Sequence, residues 1–220
     1  MADLPHLNGY ATAVCPLHNF NPAAAARNLI CKRMVEEHLK DFDWLCMIDN
    51  DMVPPTNLLD TIKNCPPEAG IVVPEFSMFN QTEKKLTLCW SFEGYEGGGV
   101  KLSRGFHELT KCGTGVMFIR PSALLKIEYP YFHYVYDSDG VQIGTEDIAF
   151  CQKARMAAVR IFGNNRIRVG HYKSVDLNVL AEMLFDKKVL DAKQDKSVDF
   201  VPGTASPAAP PAETSPVEAR

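Results

Sequence analysis

Residues 44–55 read WLCMIDNDMVPP, and the fold turns on how this stretch is read. Trp44 to Ile48 is an apolar run of strand length, suited to a sheet that is covered on both faces. It ends on Asp49 and Asp51, one residue apart, and then on Pro54 and Pro55, which cannot donate to a ladder. A carboxylate is costly in an apolar interior unless something positive faces it. The strand must therefore surface at Asp49, with a cation near the pair.

Upstream, NPAAAARNLICKRMVEEHLK (21–40) carries a helix start, with Asn21 as cap, Pro22 at the first position and alanines behind them. Ile30, Met34 and His38 then share a face at helical spacing. Downstream, NLLDTIKNC (57–65) reads as a short helix that leads through PPEAG into a second buried strand, IVVPEF (71–76). This strand, helix, strand rhythm predicts an α/β fold with a mostly parallel central sheet flanked by helices. Residues 80–111 mix aromatics, glycines and charges without a sustained period, as expected of a long loop or a small antiparallel excursion. Trp90, Phe92 and Tyr95 in it are either a cover for a ligand or a satellite core. GVMFIRP (115–121) is a further strand, GTEDIAFCQKARMAAV (144–159) a loop and helix with Ile148, Cys151, Ala154 and Ala158 on one face, and RIRVGH (166–171) a last strand. One domain over 1–200 precedes a Pro/Ala-rich tail, 201–220, whose composition predicts disorder.

Composition narrows the function classes. With 46% apolar and 23% charged residues the chain is ordinary globular material, and a net charge of -4 with pI near 5.9 offers no basic footprint for nucleic acid. No apolar stretch nears the roughly 20 residues of a spanning helix, and MADLPHLNGY lacks a signal pattern. The seven cysteines form no Cys-x-x-Cys pair, and Cys31, Cys46 and Cys151 sit in apolar runs. A soluble cytoplasmic protein is expected.

Two carboxylates on one turn repel each other, and a divalent ion with oxygen ligands, Mg2+ or Mn2+, relieves this directly. Such ions usually bridge a few protein oxygens to phosphates, which points to a phosphorylated or nucleotide-linked ligand. Solvated acids in a turn are the plainer alternative. Gly113 and Gly115, flanking Thr114, permit either close backbone approach to a ligand or a simple bulge. Glu146 and Asp147 suit a helix start whether or not they do chemistry.

Taken in order, IDND at 48–51, ARN at 26–28, CGTGVMFIRPSAL at 112–124, TEDIAFCQKAR at 145–155 and VGH at 169–171 resemble the GT-A class of nucleotide-sugar glycosyltransferases, in its family-2-like branch. The resemblance runs over residues 22–176 and leaves roughly one N-terminal βα unit of that class unaccounted for, with His18 and Asn19 lining what remains of a base pocket. It implies a sugar transferred, with inversion, from a nucleotide-diphosphate donor, a UDP-sugar above all, to an acceptor hydroxyl. Asp51 would hold the metal, with His171 completing the site and Asp49 on the ribose or on the ion through water. Arg27, Asn50, Gly113, Thr114 and Gly115 would belong to the donor site. Asp147 would be the base and Glu146 would orient the sugars. Two other readings stand beside it. In a haloacid-dehalogenase-like phosphohydrolase Asp49 would be a covalent nucleophile, and a sugar- or nucleotide-binding remnant would have lost turnover.

Overall fold

The computed structural model describes residues 6–7, 9–14, 22–80, 85–92, 95–96, 102–174, 177–178 and 181. Asn21, His18, Asn19 and the tail expected over 201–220 lie outside them. Helix α1 (Ala23–Glu37) starts behind an extended Pro22. Ala24, Arg27, Cys31 and Met34 form its buried stripe, at spacings of three and four residues. The expected face through Ile30 and His38 is therefore displaced: Ile30 is half-buried and His38 is an exposed cap. That displacement turns Arg27 inward.

The strands that matter here are β1 (Leu45–Ile48), β2 (Met52–Val53), β3 (Ala69–Glu75), β4 (Phe106–Leu109), β5 (Val116–Ile119), β6 (Arg160–Arg168) and β7 (Gly170–His171). Helix α2 (Pro121–Leu124) follows β5, and α3 (Glu146–Met156) precedes β6. The expected short helix at 57–65 is a single 3-10 turn, Leu58–Thr61. The chain is α/β with a mixed five-stranded sheet in the order β4-β6-β3-β5-β1. Here the expectation of a mostly parallel sheet needs correction. Only β3 and β6 run parallel, whereas β4–β6, β3–β5 and β5–β1 are antiparallel. An apolar run looks the same in either direction, so its pattern does not carry strand polarity; nor is β1 covered on both faces as expected, for it is an edge strand in which only Met47 is buried and Ile48 is 47% exposed.

Alternation along β3 shows both faces covered. Ile71 and Val73 join Met117, Ile119 and Ile161 against α1, α2 and α3, whereas Val72 joins Phe118 and Phe162 on the opposite face, over Leu58 and Ile62. Each such fully buried side chain contributes about 1.5–3 kcal/mol relative to exposure. Short antiparallel ribbons lie between β3 and β5: Ser77–Asn80 pairs with Lys85–Leu88, and Trp90–Phe92 pairs with Tyr95–Glu96 and Lys111–Cys112. Trp90 is core, its ring lying where a Cβ on Gly163 would come within 2.8 Å. The side chain of Tyr95 is outside the described residues. Among those residues, no helix is long and apolar enough to cross a membrane.

The turn that carries the acids is pinned at both ends. Asp49 N–H donates to Gly115 O at 2.8 Å, extending the β1–β5 ladder, and Met52 N–H donates back to Asp49 O at 3.1 Å. β2 then pairs antiparallel with β7, setting Met52 opposite His171, and Tyr172 N–H donates to Asp51 O at 2.8 Å. Residues 120 positions apart thus meet at the edge of the sheet.

Candidate functional site

Arg27 is the hub of one half of the site. Its Nη2 donates to Asp49 Oδ1 and Oδ2 at 2.8 and 2.7 Å, and its Nη1 donates to Glu146 Oε1. One guanidinium thereby joins the end of β1 to the start of α3, and an always-charged, planar group suits that task. The Arg27 side chain is only 8% exposed, against 36% for Asp49 and 13% for Glu146. Burial works against the charged guanidinium, but Asp49 and Glu146 outweigh it and raise its pKa. Burial also pushes the Asp49 carboxyl above the usual range; Arg27 offsets part of this, and the charges of Asp51 and Glu146 add to it. Asn28, next on α1, clamps Phe132 by donating to its carbonyl at 2.7 Å and accepting from its N–H at 2.9 Å.

The other half is built on Asp51. Its Oδ2 lies 3.2 Å from His171 Nε2 and accepts from Lys173 Nζ at 2.6 Å. Burial acts upward on this carboxyl, but Lys173 and His171 prevail and hold its pKa below the ordinary value. On the far side of the ring, His171 Nδ1 sits 3.0 Å from Ser77 O, a carbonyl that can only accept, so Nδ1 carries a proton. Phe76 meets the imidazole edge-on at 6.0 Å and 87°. In a neutral ring Nε2 then presents a lone pair to a carboxylate. A protonated ring instead donates from Nε2 to Asp51 Oδ2, whereas in the neutral ring a cation would join the two acceptors.

Protein atoms coordinating a small divalent ion at about 2.1 Å in neighbouring octahedral positions lie about 3 Å apart. The 3.2 Å between Asp51 Oδ2 and His171 Nε2 matches that spacing, and orientation of a ligating imidazole by a backbone carbonyl is the usual outer-shell arrangement. The spacing would accommodate Mn2+ or Mg2+, and it is equally that of a direct ring–carboxylate hydrogen bond. Of the three residues expected around the ion, Asp51 and His171 come together, whereas both oxygens of Asp49 are engaged by Arg27. Among the described residues, no group of three or more His, Cys, Asp and Glu is arranged to hold a metal by itself, so further ligands would come from water and substrate.

The remaining expected residues surround these two clusters. Asn50 is exposed at the tip of the turn. Thr114 is buried at 4%, and the room left by Gly113 and Gly115 is filled by Phe76, Cys89 and Met52, with a Cβ on Gly115 falling 2.8 Å from Met52 Sδ. These glycines admit side-chain packing behind the acids. Asp147 opens α3 beside Glu146, its Oδ1 accepting from Thr145 Oγ1 and from Ile148 N–H, the latter at 2.8 Å. Lys173 and the Ser77 carbonyl escape sequence reasoning, the first because a single exposed lysine forms no pattern and the second because it is backbone.

No protein-family model matches the chain, and no curated protein matches it. Among solved structures, the crystal structure of A197 from STIV is similar with a TM-score of 0.47 and 20% identity, over 70% of this chain and 70% of that one. That likeness carries no inference about what this chain does.

Proposed function

We propose that the chain is a metal-dependent glycosyltransferase of the GT-A type, moving a sugar from a nucleotide-diphosphate donor to an acceptor hydroxyl. The observation that carries this reading is the approach of His171 Nε2 to Asp51 Oδ2 at 3.2 Å, with the opposite ring nitrogen held by Ser77 O. A divalent ion there would neutralise charge developing on a departing diphosphate. Asp51 and His171 hold it, and Arg27 keeps Asp49 oriented for the donor's ribose. Through the same guanidinium Arg27 fixes Glu146, so donor-side and acceptor-side acids keep a set spacing. Asp147 takes the acceptor proton; with Oδ1 held by Thr145 and Ile148, its Oδ2 is the oxygen that receives it. The phosphohydrolase reading is less favoured, because a guanidinium bonded to both oxygens of Asp49 draws charge from a carboxylate that would have to act as nucleophile.

A thermal-shift panel of nucleoside diphosphates with and without Mn2+ tests the reading. Metal-dependent stabilisation by at least one nucleotide is expected, and its absence across the panel would overturn the proposal. Asp51→Ala should remove that stabilisation. Asp147→Asn should leave it intact while transfer is lost, and equal loss of binding in both would show the roles to be misassigned. Donor binding by the native chain without transfer or hydrolysis would instead identify a binding module.

A further inference from the structure

Lys173 is unused by the reading above, yet its Nζ makes the shorter of the two contacts to Asp51 Oδ2, 2.6 Å against 3.2 Å for His171 Nε2. We infer that Lys173 is a resident counter-cation of Asp51 that a divalent ion must displace, so that this lysine sets how tightly the site takes metal. The inference rests on the metal-dependent reading of the site.

An ion shared by Asp51 and His171 sits about 2.1 Å from Oδ2, the oxygen that already carries the ammonium. Two cations on one carboxylate oxygen would lie within about 5 Å of each other, where like charges repel strongly even near a protein surface. Lys173 can yield: its side chain is 47% exposed, and a lysine is a point charge on a flexible stem rather than a fixed fork. Arg27 cannot yield in this way, being buried and bidentate.

The test is titration of the full chain with Mn2+ alone, read by calorimetry or by the loss of free-ion electron paramagnetic resonance signal. Lys173→Met should bind Mn2+ about tenfold more tightly than the native chain, whereas His171→Ala should bind it at least tenfold more weakly. A methionine keeps the stem and removes only the charge, and circular dichroism checks that each variant is folded. Equal or weaker Mn2+ binding by Lys173→Met would overturn the displacement and leave the metal site standing. Failure of every form, native included, to bind Mn2+ would overturn the metal-dependent reading and this inference with it.

Discussion

Asp49 and Asp51 stand one residue apart on the same turn, yet they belong to two different kinds of ion cluster. Asp49, its side chain as exposed as that of Asp51, pairs with a buried Arg27, whose guanidinium makes bonds in fixed directions to two carboxylates, Asp49 and Glu146, on separate elements. Asp51 pairs with His171 and Lys173, where the strongest partner is a half-exposed ammonium on a flexible stem. The first cluster joins the sheet to α3 and is built not to change. The second is closed by a half-exposed lysine. Burial and the chemistry of the cation, not the acid itself, decide which is which.

The sharpest way to break this contrast is Arg27→Met. It would leave Asp49 and Glu146 facing each other without a cation, and urea unfolding should show a loss of about 3 kcal/mol, near the low end for broken buried pairs because the Asp49 side chain is 36% exposed. A loss below about 1 kcal/mol would place the trio with ordinary surface pairs. Asn28→Ala comes next. It strands the Phe132 carbonyl and N–H together, and the same assay should register about 1–3 kcal/mol. Asp51→Ala should cost less than about 1 kcal/mol in stability while abolishing metal-dependent nucleotide binding, the reverse of the Arg27 result.

Protonation separates the two acids by sign. Asp51 has a lowered carboxyl pKa in the folded chain, so its stabilising contribution is complete above the unfolded value near 3.9 and is lost as pH falls through the folded one. Asp49, raised by burial, has the opposite sign: the folded chain takes up its proton more readily than the unfolded chain does. Asp51→Asn should therefore lessen the acid loss of stability below about pH 4, by a small amount since Asp51 is partly exposed, in unfolding curves compared at pH 5 and pH 3. An unchanged acid limb would mean that Lys173 and His171 do not stabilise the ionised form in solution.

Much of this was legible beforehand, and the gaps have physical reasons. The apolar run before Asp49, the helix start at Pro22 and the acids opening α3 are local patterns, and each falls within a residue or two of its place. Strand direction was not legible, because Val116–Ile119 reads the same whichever way it runs against Leu45–Ile48. Nor was β4, whose residues 106–109 lie on an edge and are only partly buried, giving a weak pattern. β6 was anticipated only from Arg166 onward, since charges at Arg160, Arg166 and Arg168 break its apolar alternation, although the strand pairs on both sides. Within the site, motif residues could be named but not apportioned. That Asp49 would be taken by Arg27 and Asp51 by Lys173 depends on contacts across 22 and 122 positions.

The central claim is that Asp51 and His171 jointly hold a divalent ion at the end of β1 and β7. The most direct measurement is a crystal structure grown with Mn2+ and UDP, with anomalous scattering used to locate the metal. The account places the peak between Asp51 Oδ2 and His171 Nε2, with a diphosphate oxygen completing its shell and Lys173 turned away. A peak elsewhere, or nucleotide bound with Lys173 still on Asp51 and no metal beside it, would contradict it.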